Sequence, residues 1–139
     1  MQQKIFRSIF WIGYLSVIIA AFISMPGDLT KMSFGPETFH IRLDHLLHLL
    51  AYFMICMYYL LGLRKGFTIF ENSAFPKFIL LVMFLATVTE VIQLWVPERT
   101  FNVFDLISNI TGIGIGVLII KMVQRHDGSK VRRFDRTIV

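Results

Sequence analysis

Apolar positions along the chain fall into four long runs separated by short polar stretches. Ser8 to Met25 carries no charge and stops at Pro26-Gly27. His45 to Leu63 forms a second run, and Phe78 to Val96 a third, interrupted only by Glu90. Leu106 to Ile120 is the fourth. At about 1.5 Å per residue this last run falls short of a bilayer core of about 30 Å, so its helix is expected to begin near Asn102. No strand-like alternation competes with these runs, and no internal repeat or low-complexity linker is visible. The pattern predicts an all-α fold: a single membrane domain over residues 1–139, a four-helix transmembrane bundle. Its spans are expected at about 6–25, 45–63, 78–96 and 102–122, followed by a basic tail over 123–139. The connection from Pro26 to Leu43 is long enough to fold back as a small cap.

Composition agrees with lipid as the solvent. The chain has 139 residues, 55% hydrophobic and only 17% charged, with a mean hydropathy of +0.66, where a soluble domain usually carries about 25% charge. A signal peptide is the competing reading of the first run, since Lys4 and Arg7 precede it. The run is long, however, and no small-residue cleavage site follows. Cys56 is the only cysteine and cannot form an intramolecular disulfide.

Charge then orients the bundle. Four spans put both termini on one side. That side carries eleven of the lysines and arginines: Lys4, Arg7, Arg64, Lys65, Lys77 and six from Lys121 to Arg136. The other side has Lys31, Arg42 and Arg99. The positive-inside rule therefore predicts cytoplasmic termini, and it accounts for the net charge of +5 without nucleic acid as a partner. The tail is also able to meet anionic lipid.

With this orientation the unusual polar residues share the outer end. Asp44, His45 and His48 open the second span, Glu90 and Gln93 close the third, and Arg99 lies in the loop that follows. Asp105 and Asn109 open the fourth. Asp44, His48 and Tyr52, four apart, form one helical stripe; Thr87, Glu90 and Leu94 form another with Gln93 beside it. Asp105, Asn109, Gly112 and Gly116 form a third, in which the glycines allow close helix packing. Glu90 lies seven residues before Pro97, about 10 Å inward along the helix. A charge deep in a bilayer costs about 2.5–3.5 kcal/mol and finds a partner or a wet cavity. Protonation, an ion pair with Arg99 and a hydrogen bond with His48 all remain open for it.

These elements resemble the VanZ-like family, whose pattern runs approximately D-K-x-x-H-x-x-x-Y, E-x-x-Q, P-x-R and D-x-x-x-N-x-x-G. The chain reads Asp44-His45-Leu46-Leu47-His48 through Tyr52, then Glu90-Val91-Ile92-Gln93, Pro97-Glu98-Arg99, and Asp105 through Asn109 to Gly112. His45 stands where the family usually has lysine, so any anion contact there requires a protonated imidazole. Glu98 replaces a frequent glycine. The resemblance implies a small multi-pass protein of the bacterial cytoplasmic (inner) membrane, near lipid-linked cell-wall precursors and possible links to glycopeptide (teicoplanin) resistance. It carries no settled chemistry.

Three functions follow. The first is an enzyme acting on an anionic lipid headgroup or lipid-linked precursor at the outer leaflet. His48 and Glu90 would move protons, with Asp44 or Asp105 orienting the histidine. The second is a binder of the same lipid, with Arg99 as a bidentate anion holder and Gln93, Asn109 and Tyr52 as further contacts. The third is a non-catalytic accessory protein whose polar cluster is an interhelical lock. Whether a reaction occurs is open, as is the oligomeric state. Asp44 and His48, with Glu90 or Asp105, have metal-ligand types and spacing. Because no second histidine other than His45 is well placed, neither a metal nor another cofactor is expected.

Overall fold

The computed structural model describes residues 1–22, 33–34, 41–96 and 102–135, with side chains described for 1–22, 43–96 and 102–126. Four helices dominate: α1 (Gln2–Ala21), α2 (Leu43–Arg64), α3 (Ala74–Gln93) and α4 (Val103–Asp135). All four are long and apolar enough to cross a membrane, α4 over Val103–His126. Two short strands, β1 (Ser33–Phe34) and β2 (Ile41–Arg42), pair antiparallel just before α2, with Ser33 opposite Arg42.

The helix ends differ from the apolar runs for local reasons. Helix α3 starts at Ala74 rather than 78, because Pro76 falls in the first turn, where its missing N–H has no intrahelical partner to lose. It also ends sooner than 96, at Gln93. Helix α1 ends at Ala21, and residues 23–25 of its expected span lie outside the described residues. The start of α4 agrees with the length argument: Asn102 Oδ1 accepts a hydrogen bond from the Phe104 amide at 3.1 Å, an N-cap that places Asp105 in the first turn. Residues 123–135, expected as a tail, continue α4 as helix.

The bundle buries a polar cluster beside its apolar core and turns large apolar side chains outward. Leu80, Phe84, Leu118 and Met122 are exposed, while Glu90, Asn109, Thr89, Gln93 and Asp105 are buried. Apolar side chains that face outward suit a hydrocarbon solvent, and polar groups can then be satisfied only inward. Helices α2 and α4 pack most extensively, along the glycine stripe. A Cβ at Gly112 would collide with the Leu49 carbonyl, and one at Gly116 with the Cys56 side chain. The small residues therefore set how closely α2 and α4 approach. At the opposite end from the polar cluster, aromatic rings fill the bundle. Tyr59 stacks on Phe78 with centroids 3.9 Å apart. Arg7 Nε and Gln3 Nε2 both donate to the Thr68 carbonyl, at 2.9 and 2.7 Å, and tie α1 to the α2–α3 loop.

Candidate functional site

The site lies where α1 and α3 end and α2 and α4 begin. Its foundation is a buried chain of polar side chains across three helices. Asn109 Nδ2, on α4, donates to Glu90 Oε1, on α3, at 2.8 Å. That fixes the amide orientation: Asn109 Oδ1 faces His48 Nδ1, on α2, 3.0 Å away. An amide oxygen only accepts, so His48 Nδ1 carries the hydrogen and donates. His48 Nδ1 is also 3.8 Å from Glu90 Oε1. Glu90 is fully buried; its Oε1 accepts from Asn109 of α4, with His48 of α2 nearby, so the acid faces the protein interior as an intramembrane carboxyl requires.

Two further links brace the same end. Thr89 Oγ1 donates within its own helix to the Leu85 carbonyl at 3.0 Å, so Tyr52 O–H, 2.8 Å from Thr89 Oγ1, must be the donor of that bond. Nearer the helix starts, His45 Nδ1 lies 2.5 Å from Asp105 Oδ1 and 3.6 Å from Asp44 Oδ1. Asp44 Oδ1 also accepts from the His45 amide at 2.9 Å.

In front of this network lies a cavity of about 150 Å³. Val17, Ala20 and Ala21 of α1, with Leu47 and Ala51 of α2, form its apolar wall. Asp44, His48, Tyr52, Thr89 and Gln93 form its polar wall. Gln93 is only 3% exposed as a residue and lines the cavity.

Of the residues singled out in the sequence, Asp44, His48, Tyr52 and Gln93 line the cavity. Glu90 and Asn109 support His48 from behind, and Asp105 pairs with His45. Arg99 and the rest of 97–101 lie outside the described residues. The α3 stripe requires correction. Thr87 is exposed and its hydroxyl turns back to the Met83 carbonyl, and Leu94 is 54% exposed. The inward face is instead Ala86, Thr89, Glu90 and Gln93. Three contributions escaped the sequence pattern: Thr89, the small residues Ala20 and Ala21 of α1, and His45 as a partner of Asp105.

Asp44, His45 and Asp105 place one ligand atom each within 4.8 Å of one another. This is a different set from the Asp44–His48 pairing suggested by helix spacing. His45 Nδ1 is already committed to Asp105, so an ion would have to displace that bond. The arrangement is a charge-assisted pair joining the first turns of α2 and α4.

Comparison with curated proteins and with solved structures gives no match. A family model does match, the one described as VanZ/LLP1, over residues 5–124, which reaches into all four helices and includes every residue of the site. The chain therefore belongs to the VanZ/LLP1 family.

Proposed function

We propose that the protein binds the phosphate-bearing headgroup of an envelope lipid, or of a lipid-linked cell-wall precursor, at the outward end of its bundle. The observation that carries this reading is a cavity beside the buried Glu90–Asn109–His48 network, lined by apolar residues of α1 and α2 and by the polar side chains Asp44, His48, Tyr52, Thr89 and Gln93. Such a cavity suits a molecule with a chain and a polar end. At about 150 Å³ it admits a headgroup fragment rather than a whole glycopeptide precursor, since pockets for drug-sized ligands run to about 300–1,000 Å³. Arg99 is proposed as the holder of the phosphate, through its planar fork of donors. The positive-inside distribution supports an inner-membrane protein with cytoplasmic termini and a site at the outer leaflet. If the site also performs chemistry, His48 is the proton carrier, positioned by Asn109 and Glu90.

Native mass spectrometry of the gently purified chain tests the reading. A phospholipid or isoprenoid-phosphate adduct is expected, and Gln93→Leu should lower its occupancy. Wild-type protein that carries and accepts no such lipid would refute it. A role in glycopeptide tolerance predicts that cells lacking the protein shift in teicoplanin susceptibility, and unchanged susceptibility removes that role.

A second reading, the interhelical lock, has its own observation. Glu90–Asn109–His48, Tyr52–Thr89 and His45–Asp105 each join two or more helices. It predicts that substitutions in these pairs lower stability while lipid occupancy at the cavity is absent from the start.

A further inference from the structure

We infer that the cleft between the outer parts of α1 and α2 seats a hydrocarbon chain of the bound lipid, which enters sideways from the membrane. This rests on the lipid-binding reading and specifies which part of the lipid fills the cleft and by what route.

At the end away from the polar cluster, α1 and α2 pack closely. Phe6 stacks on Tyr58 with centroids 4.8 Å apart, and Tyr58 O–H donates to the Phe6 carbonyl at 3.1 Å. The Phe6 ring also occupies the space that a Cβ on Gly62 would need. Farther along, α1 leans on α3, where Tyr14 O–H donates to the Leu81 carbonyl at 3.4 Å. Toward the polar cluster the cavity lies between α1 and α2. Val17, Ala20 and Ala21 face it from one helix, and Leu47 and Ala51 from the other, each set at helical spacing. Small alanines leave room here where Phe6 and Tyr58 fill it at the far end.

The mouth of this cleft faces lipid. Ala20 and Leu47 are exposed and yet line the cavity, so it opens sideways between the two helices. Their neighbours Ile19 and Leu50 are exposed apolar side chains on membrane-spanning helices. Hydrocarbon rather than water is the solvent at such an opening. A cavity of about 150 Å³ has no room for a helix of a second copy, which is about 10–12 Å across with its side chains, whereas an alkyl chain is a single file of methylenes. Ala51 lies seven residues after Asp44, about 10 Å along α2. A chain seated beside Val17 and Ala51 therefore brings the polar end of its lipid toward Asp44 and Gln93, at the ends of their helices.

The test uses the full chain in lipid nanodiscs, with photolabelled residues mapped by mass spectrometry. One probe is phosphatidylglycerol with a diazirine near the carbonyl end of an acyl chain. The second carries the diazirine on its headgroup, and the third is an isoprenyl phosphate with the diazirine in its first isoprene unit. Bulk lipid labels in proportion to exposure, so it marks Leu80 and Leu118, 72% and 60% exposed, above the half-buried Val17 and Ala51. A seated chain reverses that order, with about tenfold enrichment in the cleft, equivalent to about 1.4 kcal/mol. Whichever chain probe is enriched tells an acyl chain from an isoprenoid. Ala51→Phe should restore the exposure order, and Ala20→Leu should do the same if that variant fails to fold. Cleft labelling that survives both substitutions overturns the inference. Exposure order for both chain probes, with the headgroup probe still on Asp44, His48 or Gln93, overturns it and leaves the lipid-binding reading standing. Exposure order for all three probes overturns both. Disulfides formed between two Ala20→Cys chains would overturn it in favour of a second copy.

Discussion

Asn109 is the side chain on which three helices depend, so its replacement gives the sharpest test of the site's construction. Asn109→Leu keeps a comparable volume and removes two hydrogen bonds. One is donated to the Glu90 carboxylate at 2.8 Å and the other accepted from His48 at 3.0 Å. A bond to a charged group contributes about 1.5–3 kcal/mol and a neutral one about 0.5–1.5 kcal/mol, so the expected loss is about 2–4 kcal/mol. Glu90 is fully buried, which keeps water from replacing the lost donor.

The charge on Glu90 can be separated from the packing by repeating the change in a Glu90→Gln background. There the Asn109 bond is neutral at both ends, and the same replacement should cost about 1–2 kcal/mol less. Reversible unfolding in mixed micelles, titrated with denaturing detergent, gives the four free energies of the cycle. If Asn109→Leu stays within about 0.5 kcal/mol of wild type, a value ordinary for surface positions, the network is not structural. If the cost is the same in both backgrounds, Glu90 does not act on Asn109 as a carboxylate.

Other expectations follow from the fold and its charges. In intact cells, cysteines introduced by Thr38→Cys and Thr100→Cys should be labelled from outside and Ser129→Cys should not; labelling confined to position 129 would reverse the orientation. Arg99→Lys should fold but lose lipid occupancy, since it keeps the charge and loses the planar fork. Arg99→Ala should also lower thermal stability in detergent; full stability and binding in both variants would remove Arg99 from the site. Gly116→Leu should separate α2 from α4, because even a Cβ there meets Cys56; a cost of about 1–3 kcal/mol is usual for overpacking, and an unchanged unfolding midpoint would refute the close approach.

The residues differ in how much of this they made legible. Four apolar runs identify four spans because a bilayer demands length and apolarity and little else. Helix starts were harder to place. Asn102 could be found by adding residues until α4 was long enough, but Ala74 could not, since Pro76 and Lys77 break the apolar run without breaking the helix. The α4 stripe from Asp105 to Gly116 was readable because its polar and glycine positions recur every three or four residues and have no reason to face lipid.

Helix α3 shows where such reading stops. Nearly every position on it is apolar, so a helical wheel drawn from Glu90 alone has no preferred direction. Thr87 and Leu94 lie on one side of Glu90, and Gln93 and Ala86 on the other. Two inward polar residues define a face better than one: placing its centre between Glu90 and Gln93 turns Thr87 and Leu94 away and brings Ala86 inward. Thr89 then gains a reason to be there, as the acceptor for Tyr52 O–H. Cavity and α1 contribution share a different obscurity. Ala20, Ala21 and Ala51 matter because they are small, and small residues signal close packing and empty space alike. Only the arrangement of neighbours separates the two. At Gly112 and Gly116 the partner helix fills the space a Cβ would need. Beside Ala20, Ala21 and Ala51 the space stays open, with the Gln93 amide facing it, and the same kind of residue that closes one helix pair thereby shapes a binding cavity in another.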